Sequence, residues 1–385
     1  MAMRRSCGSL FLGLILLGGC SAVSLFGQNA QASDAVLTML VSHEYDLNGD
    51  GSSFLLREAG SSDFFLLGEL HGENEIPALL RALWPPLWKS GYRHIAAEIS
   101  PWAAHQLETA APGRGPEVIG LWTKRQAKEA HSVGEPGSEV LWGCDMEEIQ
   151  PQFLIRELAG LNPADPNLER MVQITKDGYD RKMAPDLLAL ATGGKGKGDE
   201  LVNGISLRQN LLATLEIDRN RLSGSTKMIA QNGRELLMKE QLLAHLNHLS
   251  GAETSSKTLL RFGRNHLHRG LDARGISTLG NFVVEFAFEH GRKAFNVGAF
   301  AAGGKETLLG ETFDADERSD ELAFALLAEN AHYAATVYDL RPLRPSLHAI
   351  QREKRSPLET NLIYWADSYD ALICYKSVTP LSPDE

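Results

Sequence analysis

Seven short apolar runs recur along the chain, each bounded by polar residues or glycine. They are Phe64–Leu67, His94–Ala97, Val140–Gly143, Thr258–Phe262, Phe295–Val297, Ala335–Tyr338 and Ala371–Tyr375. Runs this short, without strict alternation of apolar and polar positions, are typical of strands that are buried on both faces. The pattern therefore predicts seven buried strands.

The segments between these runs have apolar residues at helical spacing. A helix is predicted over Ile76–Lys89, and the paired prolines Pro85 and Pro86 should kink or break it near its end. Gly280–His290 and Ser319–Leu327 are further predicted helices. Because strands alternate with helices, the predicted fold class is α/β, with a mostly parallel, doubly wound sheet flanked by helices.

Residues 150–250 differ from the rest, because they have helical patterns and no convincing strand. The helices predicted there are Phe153–Leu161, Leu168–Lys182, Ser206–Leu222 and Met228–Leu249. A glycine- and lysine-rich stretch at 193–198 is a flexible break among them. We therefore predict one α/β domain over 33–385 that contains a helical insertion at 150–250. The insertion could cover a substrate as a lid or simply add structural bulk.

The first 32 residues have the pattern of an export signal. Arg4 and Arg5 form a basic region, and Leu10–Leu17 form an apolar one. The Leu-Gly-Gly-Cys motif that ends at Cys20 resembles the bacterial lipobox, whose cysteine is lipidated, whereas Ala30-Gln31-Ala32 fits an ordinary cleavage site. We favour the lipobox because the apolar run ends just before Cys20. The prediction is an exported protein of the bacterial cell envelope, anchored to the membrane by lipid.

Composition narrows the class of protein further. The chain has 385 residues, of which 43% are hydrophobic, so it can bury a large core. Its net charge of -11 argues against nucleic acid as a partner, because phosphate binding needs a concentrated basic face. Beyond the export signal only Cys144 and Cys374 remain after lipidation of Cys20, and both lie in apolar runs. They are expected to be buried free thiols.

Polar side chains follow four of the predicted strands directly. They are Glu69 and His71, then Glu98, then Asp145, and finally His266. In an open parallel sheet the carboxyl ends of the strands share one edge, where ligands bind. These five side chains are therefore predicted to meet in one crevice. Arg264 and His268 lie close by in the sequence, and ordinary surface positions are expected for both.

Such a set of residues can activate water. A neutral histidine accepts a proton from water if a carboxylate holds its other ring nitrogen, and a second histidine or an arginine can stabilise a developing oxyanion. This chemistry predicts hydrolysis of an ester, lactone or amide without a covalent intermediate. Alternatively, Glu69, His71, Glu98 and His266 could hold a divalent metal ion that generates hydroxide.

Several of these motifs resemble those of a known superfamily. Leu67-Gly68-Glu69-Leu70-His71-Gly72, followed by a helix and Ile95-Ala96-Ala97-Glu98, resembles the superfamily that joins erythromycin esterases, ChaN-type haem-uptake lipoproteins and Tiki-type proteases. The G-E-x-H spacing is closer to the ChaN and Tiki branches. Other motifs look more like the esterase branch: Gly72-Glu73-Asn74-Glu75, Gly143-Cys144-Asp145, Arg234-Glu235 with Met238, and Tyr369-Asp370-Ala371-Leu372-Ile373.

The resemblance implies catalytic roles for four residues. His71 would be the general base, and Glu69 and Glu98 would orient it and balance its charge. Gly263-Arg264-Asn265-His266 resembles the second G-x-x-H of the superfamily, so His266 would be the second catalytic or binding histidine.

The resemblance also implies substrate-binding candidates and several possible functions. Arg234 would meet the substrate from the helical insertion, and Asp145 and Glu75 are the other binding candidates. An esterase-like hydrolase acting on a small molecule is the leading prediction. The alternatives are a haem-binding surface lipoprotein, with Tyr179 or His245 as a candidate haem ligand, a Tiki-like metal-dependent protease, and a catalytically silent binding module.

Overall fold

A single large sheet runs through the middle of the computed structural model. The structure describes residues 34–109, 118–119, 122–134, 139–148, 150–193, 201–202, 204–251, 255–308 and 310–382. The predicted export signal, with Cys20 and Ala32, lies outside these residues. No helix within them is long and apolar enough to cross a membrane.

In the described residues the strands fall into one large sheet and two small hairpins. The strands are β1 (Glu44–Asp46), β2 (Phe64–Glu69), β3 (Tyr92–Ala97), β4 (Val118–Ile119), β5 (Trp122–Thr123), β6 (Leu141–Gly143), β7 (Leu201–Val202), β8 (Ile205–Ser206), β9 (Lys257–Gly263), β10 (Ala294–Leu308), β11 (Glu311–Asp316), β12 (Ala335–Asp339) and β13 (Ala371–Tyr375). The hairpins are β4–β5 and β7–β8. All seven predicted strands are present.

Helices separate most of these strands. They are α1 (Asp34–Ser42), α2 (Ser52–Gly60), α3 (Glu75–Lys89), α4 (Pro101–Thr109), α5 (Lys124–His131), α6 (Pro151–Leu161), α7 (Pro166–Ile174), α8 (Ala184–Gly193), α9 (Leu207–Arg221), α10 (Lys227–His248), α11 (Leu279–Glu289), α12 (Leu322–Glu329), α13 (Leu343–Ala349) and α14 (Pro357–Ser368). Shorter turns are the π-helix Leu47–Gly51 and the 3₁₀ helices Arg181–Met183, Gly224–Thr226, Arg264–His266 and Arg352–Lys354.

The large sheet is mostly parallel. Its strand order is β1-β12-β13-β10-β2-β9-β3-β6, and β11 pairs with the far end of β10. The six strands from β13 to β6 in this order are parallel to their neighbours, whereas β1, β12 and β11 pair antiparallel. The predicted fold class, a mostly parallel α/β sheet flanked by helices, is confirmed.

Helices cover both faces of this sheet, and each face has its own apolar core. In β2, Phe65 and Leu67 pack in the same core as α2 and α3, whereas Phe64 and Leu66 pack in the core that contains α11 to α14. Since successive side chains of a strand point to opposite faces, β2 is apolar throughout and buried on both sides. The sheet is therefore doubly wound, as predicted.

The helices α6 to α10 occupy the predicted helical block. Within the described part of this block, the β7–β8 hairpin is the only strand structure. The helix predicted over Leu168–Lys182 ends at Ile174, and Gly178 adopts a φ of 118° shortly afterwards. A glycine in this left-handed region is incompatible with a continuing right-handed helix, which explains the early end.

The helix α3 continues through its two prolines to Lys89, so of the predicted kink or break at Pro85 and Pro86 the break is wrong. Only the backbone N–H groups of these two positions are lost, close to the C-terminal end of the helix. Leu83, Trp84 and Leu87 are buried on either side of them, and this packing holds the last turns in place. Both remaining cysteines, Cys144 and Cys374, are buried and free, as expected.

Candidate active site

The four strands that precede the candidate residues are neighbours in the sheet, in the order β2-β9-β3-β6. Their carboxyl ends bring Glu69 and His71, His266, Glu98 and Asp145 to one edge. Both histidines contact the same carboxylate: Nε2 of His71 lies 3.7 Å from Oε2 of Glu98, and Nε2 of His266 lies 3.4 Å from Oε1. The predicted convergence of separate chain segments is therefore present in the structure.

The ring of His71 lies between two buried carboxylates. Its Nδ1 is 3.4 Å from Oε1 of Glu69 and is buried, while 32% of the side chain is exposed. The exposed part leaves Nε2 as the ring nitrogen that a water molecule can reach. Burial lowers the pKa of His71, but the charges of Glu98, Glu69 and Glu73 outweigh it and raise the pKa above its ordinary value.

Glu69 is held by a buried arginine in the next strand. Nε of Arg261 donates a hydrogen bond to Oε2 of Glu69, and the guanidinium lies 4.5 Å from the ring centre of Trp122. Arg261 was missed in the sequence because it stands inside the apolar run that forms β9. The signal was present, because an arginine in a fully buried strand needs a carboxylate partner.

Glu98 is the central anion of the site. Its Oε2 accepts a hydrogen bond from the backbone N–H of Gly263 at 2.6 Å, and its Oε1 accepts one from Nη2 of Arg234 at 2.8 Å. Burial alone would raise its pKa, but His266, His71 and Arg234 together hold the pKa of Glu98 well below its ordinary value. Glu98 therefore stays ionised.

Gly263 gives His71 the room to reach Glu98. A Cβ atom at this position would lie 2.6 Å from Nε2 of His71 and 3.1 Å from Oε2 of Glu98. Any other residue would therefore displace the imidazole. This explains in physical terms why glycine stands at the first position of the Gly-Arg-Asn-His motif.

His266 is in a different state from His71, because carboxylates face both of its ring nitrogens. Nδ1 is 2.5 Å from Oε1 of Glu235, and Nε2 faces Glu98. Although burial opposes it, Glu98 and Glu235 raise the pKa of His266 to about 10. It is a cation at neutral pH and cannot accept a proton from water. Glu235, which the sequence indicated only as the neighbour of Arg234, also accepts the backbone N–H of Leu279.

Arg234 joins the helical block to the sheet edge. From α10 it donates to Asp145 through Nε at 3.1 Å and to Glu98 through Nη2, and Nη2 is also 3.0 Å from Oε2 of Glu148. Asp145 is only 1% exposed and also accepts the N–H of Met146. It is thus placed to orient Arg234 rather than to touch a ligand.

Glu75, the remaining binding candidate, is not brought to this cluster. Both of its carboxylate oxygens accept the N–H of Thr379 at 3.0 Å. Its neighbour Glu73 lies beside the site instead and is 2% exposed. Burial, together with the charge of Glu69, raises the pKa of Glu73 to about 8.

A segment near the C-terminus, residues 377–382, supports the loop that carries His71, and we call it the C-terminal strap. The carbonyl of Gly72 accepts the N–H of Leu381 at 2.8 Å, and Asn74 bonds to the backbone of Thr379 and Pro380. Gly72 has a φ of 88°, and a Cβ there would lie 2.1 Å from the carbonyl oxygen of Thr307. Only glycine fits this close approach.

The expectation that Arg264 and His268 lie at the surface is wrong. Nη2 of Arg264 pairs with Glu317 at 2.7 Å, and its guanidinium packs over the ring of Phe324. His268 is 2% exposed and lies 5.2 Å from the ring of Trp365; burial lowers its pKa to about 4. The chain after β9 turns into the core beneath α14 instead of running over the surface.

A cavity of about 700 Å³ lies between the helical block and this edge of the sheet. Arg234, Glu235 and His266 line the end of it that adjoins the site. His71 is on the other side of Glu98 from these residues. A ligand confined to the cavity would therefore be separated from His71 by Glu98, Arg234 and His266. A longer ligand would extend past these residues to the exposed edge of His71.

Three of the four candidate metal ligands, Glu69, Glu98 and His266, are occupied by protein partners. Arg261 holds Glu69, Arg234 holds Glu98, and both nitrogens of His266 face carboxylates. Within the described ranges, no group of three or more His, Cys, Asp or Glu side chains is arranged to hold a metal ion. The residues therefore do not fit a metal centre.

The two candidate haem ligands are engaged as well. Tyr179 donates its hydroxyl to Asp218 at 2.7 Å. His245 is 2% exposed and stacks on Trp142. His245 is therefore buried, and the hydroxyl of Tyr179 is already bonded to a protein carboxylate.

Comparisons with known proteins give structural relatives only. No family model matches the chain, and no curated protein matches it. A protein from Bacillus cereus has 15% sequence identity and a TM-score of 0.59, with 91% of this chain and 98% of that chain covered. A succinoglycan biosynthesis protein has 13% identity and a TM-score of 0.56, covering 92% and 99%. A variant of the erythromycin esterase EreC in its open conformation has 14% identity and a TM-score of 0.57, covering 90% and 97%.

Proposed function

Starting from the fold that the chain shares with the erythromycin esterase EreC, we propose that this protein is a hydrolase that cleaves an ester or lactone with water activated by His71. The observation that carries the proposal is the contrast between the two histidines around Glu98. His266 is protonated at neutral pH, whereas the ring of His71 is partly exposed and has the buried carboxylate of Glu69 beside its Nδ1. This is the arrangement that a general base requires.

The proposed reaction uses the chain's own side chains. Neutral His71 accepts a proton at Nε2 from a water molecule while the water oxygen bonds to the ester carbonyl carbon. Glu69 stabilises the imidazolium that forms, and ionised Glu98 is near enough to orient the water. When the tetrahedral intermediate collapses, the C–O bond to the alcohol breaks and His71 returns its proton to the leaving alkoxide.

Arg234 and His266 are the cations that we propose to stabilise the developing negative charge. Arg234 lines the cavity and is fixed by three carboxylates, so its orientation costs nothing further during the reaction. We propose that it faces the carbonyl side of the substrate, with Asp145 and Glu148 as positioning residues.

The export signal predicted in the first 32 residues supports a proposal for the location of this activity. We propose that the protein is exported to the cell envelope and anchored through lipid on Cys20, with a small-molecule ester as its substrate. Labelling of cells with a radioactive fatty acid, compared with a Cys20→Ala variant, tests the anchor. A labelled Cys20→Ala protein would contradict it.

Hydrolysis assays on the purified protein test the catalytic proposal. The substrates are p-nitrophenyl butyrate, erythromycin and a casein peptide, each with and without EDTA, and a haem titration is recorded in parallel. We expect ester or lactone turnover that resists EDTA and that falls about 10²- to 10⁴-fold in His71→Asn. His105→Asn, on an exposed face of α4, is the matched control.

Other outcomes of these assays would contradict the proposal. Ester turnover that is unchanged in His71→Asn would remove His71 from the mechanism. Turnover lost with EDTA would favour a metal-dependent enzyme, and a shifted haem spectrum without turnover would favour a haem-binding protein. Glu98→Gln should also lower kcat by orders of magnitude while the circular dichroism spectrum stays native.

A further inference from the structure

The cavity beside the site is lined by more cationic than anionic side chains. The whole sequence carries a net charge of -11, yet six arginine or lysine side chains line this one cavity. They are Arg181, Lys182, Arg221, Lys227, Arg234 and Arg274. Three carboxylates, Glu148, Asp180 and Glu235, also line it.

The carboxylates of the lining are already engaged by protein groups. Glu148 pairs with Arg221 at 2.8 Å and with Arg234, and Glu235 holds His266. Asp180 accepts the backbone N–H of Lys182 at 2.9 Å. Glu148 and Glu235 are therefore paired with cationic side chains of the wall.

Buried carboxylates behind the wall hold three of the cations in fixed orientations. Nε of Arg181 is 3.0 Å from Asp218, and Arg221 is 3.3 Å from the same oxygen. Nη2 of Arg274 is 2.5 Å from Asp272. Asp218 and Asp272 are buried, so these guanidinium groups present their outer faces to the cavity.

Lys227 differs from these arginines, because it forms no ion pair with any residue that the structure describes. It is the first residue of α10, and Gln231 and Arg234 follow it on the same face of the helix. Seven residues of α-helix span about 10 Å. Lys227 is thus about 10 Å along the helix from the end of the cavity that adjoins the site.

We propose that the substrate is an anionic ester, whose carboxylate or phosphate group binds Lys227 in the cavity, about 10 Å along α10 from Arg234. This inference rests on the proposed ester hydrolysis for the identity of the bond, but the anion site stands on the cavity alone. A substrate with a cationic group at the same distance would be disfavoured by like charge.

The test is a matched set of p-nitrophenyl esters that differ only at the far end. Mono-p-nitrophenyl suberate carries a terminal carboxylate, its methyl ester is neutral, and a trimethylammonium ester of the same length is cationic. We expect kcat/KM to be about tenfold higher for the anionic than for the neutral ester, since a charged group gains from a cationic partner. High salt should reduce this ratio.

Variants of one lysine localise the effect. Lys227→Gln should lower the ratio of anionic to neutral kcat/KM at least about fivefold, and Lys227→Glu should shift the preference towards the cationic ester. Lys89→Gln makes the same change of charge on an exposed part of α3, away from the cavity, and should keep the wild-type ratio. An unchanged ratio in both Lys227 variants would overturn the proposal.

A binding measurement separates this inference from the proposed function. Suberic acid monoanilide has the same terminal carboxylate but an amide in place of the ester, and calorimetry measures its binding without turnover. If Lys227→Gln weakens binding of the anilide while the wild type hydrolyses no ester, the proposed hydrolase is overturned and the anion site is kept. Equal hydrolysis of all three esters, with no binding of the anilide, would overturn the anion site and keep the hydrolase.

Discussion

Two histidines share one carboxylate at the centre of this site, and their second partners give them different charges. Glu235 faces the second ring nitrogen of His266. Together with Glu98 it outweighs the effect of burial on the pKa, so the ring stays protonated up to about pH 10. His71 has Glu69 behind it but an open edge, which leaves it able to exchange a proton with water. Residue identity alone would not distinguish the two.

The raised pKa of His71 sets the pH dependence of the proposed hydrolysis. A base works in its neutral form, so kcat/KM should rise with pH and level off only above the ordinary histidine pKa of 6.5. Initial rates between pH 5 and pH 9, corrected for spontaneous hydrolysis, give the midpoint. A rate that falls with increasing pH across this range would argue for His71 as a proton donor instead.

Gly263 offers a test of geometry that removes no charged group. Gly263→Ala puts a methyl group 2.6 Å from the present position of Nε2 of His71, so the imidazole has to move. A shift of about 1 Å in a catalytic group can cost about 10²-fold in kcat. Steady-state kinetics should show this loss, with a circular dichroism spectrum that is unchanged.

The matched control is another glycine. A Cβ at Gly160, within α6, meets nothing within 4 Å. Gly160→Ala should keep full activity and raise stability by up to about 1 kcal/mol, because alanine favours helix. Equal kinetics for the two alanine variants would show that His71 does not need its present position.

At the scale of elements, α10 is attached to the sheet both by apolar packing and by charge. Arg234 reaches from it to three buried or half-buried carboxylates that follow β3 and β6. The same helix supplies Glu235 to His266 and Lys227 to the cavity. One helix thus links the wall of the cavity to the catalytic edge.

Removal of the Arg234 charge should therefore destabilise the protein. Arg234→Met leaves Glu98, Asp145 and Glu148 without their shared cation, and loss of one partner of a buried ion pair costs about 3–5 kcal/mol. Urea unfolding measures the change. Arg219→Met, which breaks an exposed pair with Glu216, should cost less than about 1 kcal/mol. Equal losses in both variants would contradict the proposed role of Arg234.

For single elements, the sequence predicted those limits of strands and helices that depend on the local pattern of apolar and polar residues. The strand Ala371–Tyr375 is found with the predicted limits, because its apolar side chains are buried on both faces. The strand predicted over Phe295–Val297 extends to Leu308, since its second half is polar and pairs with β11 at the rim. The continuation of α3 through Pro85 and Pro86 was missed because tertiary packing, not propensity, holds those turns.

For the whole molecule, stability should depend on pH through buried acids. Burial raises the pKa of Glu147 to about 7 from an ordinary value of 4.5. Between these pH values the folded protein keeps a proton that the unfolded chain has released, so the free energy of unfolding falls as pH rises. The contribution is fully present below pH 4.5 and is lost as pH increases through about 7.

Glu147→Gln should remove this loss, because glutamine has no proton to release. We expect the variant to gain stability relative to the wild type between pH 5 and pH 8 in urea unfolding experiments. Glu157→Gln changes an exposed glutamate of α6 and should show no such trend. If the free energy of unfolding differs by the same amount between variant and wild type at pH 5 and at pH 8, Glu147 is ionised in the folded protein across this range.

The convergence of the site was predictable because it needs only parallel strands with polar residues at their carboxyl ends. The order of strands was not, since it depends on helix packing between segments that are distant in sequence. For the same reason Glu235 and Arg261 were missed as partners of His266 and Glu69. Glu75 was expected at the site from a local motif, whereas its hydrogen bonds go to the strap.

The strap also ties the proposed activity to protein synthesis. Asn74, in the loop of His71, bonds to Thr379, which the ribosome adds 305 positions later. Gly72 of the same loop accepts the N–H groups of Thr307 and Leu381, so the contacts of the loop are completed only late in translation. If His71 is the base, partly translated chains are inert, and an unfinished copy hydrolyses nothing in the cell that makes it.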